Sequence, residues 1–319
     1  METNRNAELV ALFEHQKDED VLDFSRHIYS LDYPDSSFEK VEAVFAAALD
    51  LFTGRFEGYC ACRTGYHDLK HTLDVFVATV RLLDGCFIEG RGVSPERAIE
   101  TLIAALLHDT GYIQEVGDEE GTGAKYTRTH VLRSAEFTLL KGFKLGLDGA
   151  CSARVARLIL GTDLDHDLES RSYDSTGDES RAAAILASAD LLGQMADRTY
   201  LERLLFLYYE FVEAGIGGYE SALDILRNTV DFYDSIRERT DGRLGSVSFA
   251  ARSHFRVRSG VDRDLYREAI ERQMAYLKTI MGKDVDEYRT KLRRLDMEEA
   301  ERKEIERLAG FGVFVGRAS

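Results

Sequence analysis

Two histidines frame the segment YHDLKH, at positions 67 and 71. On a helix, residues four apart lie about one turn apart and within roughly 40° of each other around the axis, so both imidazoles would aim at one site. A second polar pair, His108 and Asp109, stands at the end of the apolar run TLIAALL, and Asp190 in RAAAILASADLL shares a helical row with Ala183 and Leu186. His71 itself lies on a row with Val75, Ala78 and Leu82. Polar and ionised groups on such faces are costly to remove from water unless something compensates them. Two imidazoles and two carboxylates suit a divalent ion such as Mn, Mg, Fe or Zn, with water completing the coordination. Each residue alone has an ordinary reading: His71 as a satisfied core histidine, His108 and Asp109 as a helix end, Asp190 as a cap. A metal accounts for all four together.

Helices must carry these groups. Ser36 and Glu39 have capping-box spacing ahead of KVEAVFAAALDLF, and Ser94-Pro95 supplies an N-cap and a first-turn proline before ERAIETLIAALL. In the second segment Ile99, Leu102, Ile103, Leu106 and Leu107 repeat at i, i+3, i+4, i+7 and i+8, a buried helical stripe that ends at His108. Further helices are expected over HTLDVFVATVRLL, VLRSAEFTLLKG, SARVARLILG, RAAAILASADLL, YLERLLFLYYEFV, 221–237 and 263–281. Only SVSFAARSHFRVR, near 246–258, alternates in a way that hints at extended structure, so the fold class is all-α. Three polar, Gly-bearing segments at 117–129, 163–180 and 241–260 interrupt the helices. Such loops serve as functional lids or as plain surface connections.

The 319 residues contain only Pro34 and Pro95 as prolines and no low-complexity linker. They are expected to form an N-terminal helical extension (1–35), a core (36–240), and an Arg-rich loop with C-terminal helices packing on the core (241–319). Hydrophobic residues at 44% and charged residues at 31% suit a folded chain with ample core material. The net charge of −16 disfavours a nucleic-acid polymer as partner, because duplex binding needs a basic face. A small phosphorylated substrate is compatible with it. No apolar run reaches the roughly 18 residues of a membrane span, and the N-terminus lacks the order of a signal peptide. A cytoplasmic protein without membrane contact, its four cysteines reduced, is expected.

The order His, HD, Asp, each expected on its own helix, resembles the HD superfamily of metal-dependent phosphohydrolases. The chain also looks like the cyclic nucleotide phosphodiesterase branch, whose boxes read YHxxxH, HD, ATD, AD and QxxF. The corresponding stretches are YHDLKH (66–71), HD (108–109), GTDLDH (161–166), SAD (188–190) and QMAY (273–276). The resemblance implies an HD-domain, PDEase-like multi-helix fold in which His71, His108, Asp109 and Asp190 hold a first metal and Asp109 bridges to a second. It implies His67 as general acid, Thr162 and Asp163 beside the second metal's water shell, Gln273 against a base edge and Tyr276 as a stacking wall. Where the family continues HDxxHxG, this chain reads HDTGYIQE, which puts the second metal in question. His130, at the start of the next helix, is a candidate replacement.

The activity implied is hydrolysis of a nucleotide phosphodiester, cyclic or linear, with hydroxide activated by metal attacking phosphorus in line and His67 protonating the leaving alkoxide. The alternatives are a nucleotide phosphomonoesterase, a triphosphohydrolase, an alarmone hydrolase, and a non-catalytic metal-bound sensor or scaffold. The basic set Arg243, Arg252, His254, Arg256 and Arg258 is read as a solvated loop outside the site, with Phe249, Phe255 and Val257 open to a role as a dimer arm. The charge-rich stretch KDVDEYRTKLRRLDMEEAERKEIERLA is expected to form one long helix, a solvated cap or a surface for a second copy.

Overall fold

The computed structural model describes residues 18–118, 120–164, 177–281 and 289–313, with the side chain of Arg243 left aside. Among the described residues the chain is all-α, its extended pairing limited to an isolated antiparallel bridge between Tyr59 and Glu115. The helices are α1 (Asp18–Asp32), α2 (Glu39–Phe52), α3 (Leu69–Ile88), α4 (Pro95–Leu107), α5 (His130–Lys141), α6 (Gly149–Leu160), α7 (Asp178–Ala196), α8 (Tyr200–Glu213), α9 (Ala222–Glu238), α10 (Ala250–Ser259), α11 (Leu265–Ile280) and α12 (Met297–Gly310).

Three of these are buried on every face, as a helix at the centre of a core must be. Every residue of α3 from Val75 to Cys86 is buried, as is every residue from Ala98 in α4 to Gln114 beyond its end, and Ala182–Ala189 in α7. α3 packs most extensively on α7, and also on α1, α4 and α10, while α4 contacts α2, α6 and α7. The alanines of α7 and Gly193 explain the close fit. A Cβ on Gly193 would lie 3.0 Å from the backbone nitrogen of Val75. The central helices therefore bring first-turn, last-turn and mid-helix positions into one small volume.

Helix starts follow local chemistry. Asp68 caps α3 by accepting the His71 amide at 2.9 Å, and Asp148 caps α6 through Cys151 at 2.8 Å. Ser94-Pro95 opens α4 as expected. The Ser36–Glu39 capping box does not form: α2 begins at Glu39 after Phe38, and the Ser36 hydroxyl instead takes the Tyr29 hydroxyl at 2.7 Å.

The stretch expected as an Arg-rich loop is largely helix. Ala250, Ala251, His254 and Phe255 are buried on one stripe of α10, so the period is helical and the apparent alternation of SVSFAARSHFRVR is incidental. Two of its basic residues face inward. His254 Nδ1 donates to Asp84 Oδ2 at 2.6 Å, and Arg258 Nε donates to Asp84 Oδ1 at 2.8 Å while its Nη2 reaches Asp32 Oδ1 at 2.8 Å. Arg252 pairs with Asp262 on the surface. The charge-rich C-terminal stretch also departs from expectation. Residues Val285 and Tyr288 lie outside the described residues, and beyond them the helix is broken at 292–296, where Asp296 caps α12 by accepting the Glu299 amide at 3.1 Å.

Gly85 meets α10 so closely that a Cβ there would lie 2.0 Å from the Ala250 carbonyl oxygen. The helix-propensity gain of Gly→Ala is about 1 kcal/mol, but overpacking against backbone costs about 1–3 kcal/mol. Gly85→Ala is expected to lower the urea midpoint, whereas Gly149→Ala, with nothing within 4 Å of the added methyl, is expected to leave it unchanged or raise it.

Candidate metal centre

His71 stands in the first turn of α3, His108 at the C-terminal cap of α4, Asp109 immediately after it, and Asp190 in the middle of α7. Their polar atoms converge. His71 Nε2 lies 3.2 Å from Asp109 Oδ2, 3.4 Å from Asp190 Oδ1 and 3.4 Å from His108 Nε2. His108 Nε2 lies 3.3 Å from Asp109 Oδ2 and 3.7 Å from Asp190 Oδ1. The His108 ring is fixed by its Nδ1, which donates to the Ala105 carbonyl at 2.9 Å and turns Nε2 toward the cluster. His71, His108 and Asp109 are buried, and Asp190 is exposed by 17% at its side chain.

Electrostatics bind the four together. Burial opposes charge on His71, but the carboxylates of Asp109 and Asp190 outweigh it and lift the imidazole to about 10. His108 is raised in the same way, burial again opposing and Asp109 prevailing. Burial pushes the two carboxyls up, and the facing imidazoles more than reverse this: Asp109 is held well below the ordinary carboxylate range and Asp190 below it.

Among the atoms of these four residues, one is fully buried without a hydrogen bond. Asp109 Oδ2 is buried 3.2 Å from His71 Nε2 and 3.3 Å from His108 Nε2 without a well-formed hydrogen bond to either. Such an oxygen is expensive in a core, and a cation shared with His71, His108 and Asp190 would satisfy it. The ligand atoms of His71, His108 and Asp190 lie 3.4 to 3.7 Å from one another, a spacing that shared coordination to one ion at bond lengths of about 2.0–2.2 Å allows. The donor set therefore fits a divalent ion.

His67 is not on the helix with His71, contrary to the expectation from their spacing. It precedes the cap residue Asp68, and the turn rather than the helix brings its ring to 5.7 Å from that of His71. α8 holds that turn. Glu210 Oε2 accepts from His67 Nδ1 at 2.6 Å, and its Oε1 accepts the Tyr66 amide at 2.7 Å and the His67 amide at 3.2 Å. Arg203, two turns earlier on α8, donates to Asp68 Oδ1 at 3.0 Å.

His130 also joins the cluster. Its Nδ1 donates to the Thr127 carbonyl at 2.7 Å, and its Nε2 faces Asp109 Oδ1 at 3.7 Å. Burial pulls its imidazole below the usual histidine range, so Nε2 carries a lone pair toward Asp109. Gly111 makes this approach possible, since a Cβ there would lie 2.0 Å from the His130 carbonyl oxygen.

The remaining predicted residues serve elsewhere. Gln273 is buried, and its amide donates to the carbonyls of Met195 at 2.8 Å and Asp197 at 2.7 Å, closing the end of α7. Tyr276 is 39% exposed and its hydroxyl donates to the Lys291 carbonyl at 2.6 Å. These bonds hold helix ends through the Gln273 amide N–H groups and the Tyr276 hydroxyl, while Gln273 Oε1 is buried without a hydrogen bond. Thr162 donates to the Ile159 carbonyl at 2.9 Å just past the end of α6, and the Asp163 and Leu164 carbonyls accept from Arg239. His166 of the GTDLDH box lies outside the described residues.

The sequence reading missed Glu210, Glu213 and Tyr112. A signal for the first existed: in YLERLLFLYYEFV, Arg203 and Glu210 stand seven apart, hence on one face of a largely apolar helix. Glu213 holds the 117–129 segment, accepting the Thr122 amide at 2.9 Å, the Thr122 hydroxyl at 2.7 Å and the Lys125 amide at 3.1 Å. Thr122 and Lys125 of that segment are thereby tied to α8.

A family model matches residues 27–141 and 167–239, and its description is Npun_R2479-like. The chain belongs to the Npun_R2479-like family. The matched segments contain all four clustered residues together with His67, His130 and Glu210. No curated protein and no solved structure matches the chain. No described helix is long and apolar enough to cross a membrane.

Removing the Glu213 carboxylate strips three hydrogen bonds from the loop that carries Thr127, the anchor of His130. Glu213→Ala is expected to destabilise that loop by about 1–3 kcal/mol, read as faster amide hydrogen exchange at Thr122 and Lys125 with little change in α3.

Proposed function

We propose that this Npun_R2479-like protein is a divalent-metal-dependent phosphohydrolase, with a phosphodiester as its substrate class and nucleotides as the first substrates to assay. The observation that carries the reading is the buried, hydrogen-bond-free Asp109 Oδ2 at the meeting point of His71, His108 and Asp190. The resemblance of the motif order to the HD superfamily supports the same reading.

His71, His108, Asp109 and Asp190 would hold the ion. When bound, a divalent cation supplies Lewis-acid polarisation of a phosphoryl oxygen and activation of water for attack on phosphorus. The protein's own contribution begins with His67. With Nδ1 held by Glu210 at 2.6 Å, its Nε2 is the nitrogen left to deliver a proton to the departing alkoxide. Glu210 fixes the ring's orientation and tautomer by gripping both the side chain and the backbone of the same residue. Burial of the cluster excludes bulk water, so the charges of Asp109 and Asp190 act at short range in a poorly screened setting. The reading extends to the phosphoryl group, the moiety that the clustered metal-binding residues address.

Metal content and turnover separate these roles. His67→Asn is expected to retain metal and to lose turnover by about 10²–10⁴-fold. Glu210→Gln should retain metal with a smaller loss, about 10–100-fold, while Asp190→Asn should lose both metal and activity. The checks are elemental analysis after dialysis and a panel of nucleotides and phosphodiesters with added Mn²⁺. Full activity of His67→Asn, or failure of the wild-type protein to take up any divalent metal, would overturn the proposal.

A further inference from the structure

Tyr112 is the largest side chain at the cluster that the reaction scheme leaves unused, and it is almost fully buried, 1% exposed. Its ring centroid lies 4.4 Å from that of His67 with planes 12° apart, and 4.5 Å from that of His130 with planes 22° apart. The two imidazoles are themselves 6.0 Å apart. Were the phenol ring sandwiched between them, their separation would approach the total of the two shorter distances. Instead the three centroids make nearly a right angle at Tyr112, so with planes close to parallel both imidazoles lie side by side on one face of the phenol ring.

Each imidazole is held at a second point by its Nδ1: His67 by Glu210 and His130 by the Thr127 carbonyl. A hydrogen bond at one ring nitrogen still allows the ring to pivot about that bond, and a flat partner beneath the ring removes this freedom. Offset aromatic stacking is worth about 0.5–1.5 kcal/mol, enough to bias a rotamer without adding a competing donor. The backbone makes the platform rigid. Tyr112 sits in the short 3-10 turn that follows Asp109, its amide donates to the Asp109 carbonyl at 3.1 Å, and its own carbonyl would be struck at 2.0 Å by any side chain at Gly123.

We propose that Tyr112 is a positioning residue, a platform that sets the ring orientations of His67 and His130 at the rim of the metal centre. The inference rests on the functional reading above for its kinetic consequence, and on ring geometry alone for its structural one. Tyr112→Phe keeps the face and Tyr112→Leu removes it, so the phenol oxygen is separated from the platform. Without the face, His67 samples orientations in which its Nε2 no longer meets the leaving group. Ground-state binding of the phosphoryl group is untouched by this, so the loss falls on kcat and not on KM.

The test uses histidine-labelled full-length protein in Mg²⁺ buffer, with the His67 and His130 ring-proton resonances assigned through His67→Asn and His130→Asn. The stack is expected to shift both sets upfield in the wild-type protein and in Tyr112→Phe, and Tyr112→Leu should release both downfield while bound Mn²⁺, measured separately after dialysis, stays at the wild-type level. On the phosphoester that the wild-type protein hydrolyses, Tyr112→Leu should lose about 10–100-fold in kcat at unchanged KM, and Tyr112→Phe should restore it. Resonances that do not move in Tyr112→Leu would overturn the platform, as would unchanged kcat in that variant. A wild-type protein that shows the ring shifts yet hydrolyses no phosphoester would overturn the functional reading and leave the platform's geometry standing. If Tyr112→Leu does not fold, Tyr112→Met serves in its place, and the upfield shift in the wild-type protein remains a direct test.

Discussion

Burying two carboxylates and two imidazoles among helices that expose almost no polar surface is the constraint around which the rest of the chain is arranged. The central stretches of α3, α4 and α7 are buried on every face, and His71, His108 and Asp109 are enclosed with Asp190 only slightly open, so these groups have little water to relax into. The groups must be satisfied by one another or by an ion. The protein spends three different kinds of backbone position on this. His71 comes from a capped first turn, His108 and Asp109 from a helix end, and Asp190 from mid-helix, where a small-residue surface allows close packing. Supporting contacts then come from outside the central three. α8 secures the turn before α3 through Glu210 and Arg203, and α5 brings His130 over Gly111.

Much of this was legible in the sequence because burial and chemistry leave different marks. The apolar stripe ending at His108, the Ser94-Pro95 start and the row that puts Asp190 with Ala183 and Leu186 each imply a buried helix carrying a misplaced polar group, and the structure brings those groups together. The all-α class follows from the same periodicities. What failed was local. His67 and His71 were placed on one helix by spacing, yet Asp68 caps that helix between them, and an aspartate two residues before a lysine gives no unambiguous start. SVSFAARSHFRVR alternates over a few residues, but the buried set Ala250, Ala251, His254 and Phe255 is helical, and only the partners Asp84 and Asp32 reveal that two of its basic residues face inward. The roles of Gln273 and Tyr276 rest on motif alone, and the Gln273 amide and Tyr276 hydroxyl also close neighbouring helix ends, a use that such a short pattern does not foretell.

Residues that work through others were the hardest to see. Glu210 and Glu213 lie on one helix and hold two separate loops, one bearing His67 and the other bearing the carbonyl that anchors His130. Nothing in their immediate sequence context names those loops, which are between 88 and 144 residues distant in the chain. Tyr112 is similar: it stands four residues after His108, but its partners on the ring face come from before α3 and from the start of α5.

The ionic attachment of α10 bears on where this protein can be divided. The family match ends at residue 239, and the sequence suggested a core closing at 240, yet both side chains that donate to Asp84, the His254 imidazole and the Arg258 guanidinium, are supplied from beyond that point. Asp84 is completely enclosed in the middle of α3. A fragment stopping at 240 would keep an enclosed carboxylate stripped of its guanidinium partner and its imidazole donor on the same helix that presents His71, so the segment that looks like an appendage is a condition for the central helix to stay dry.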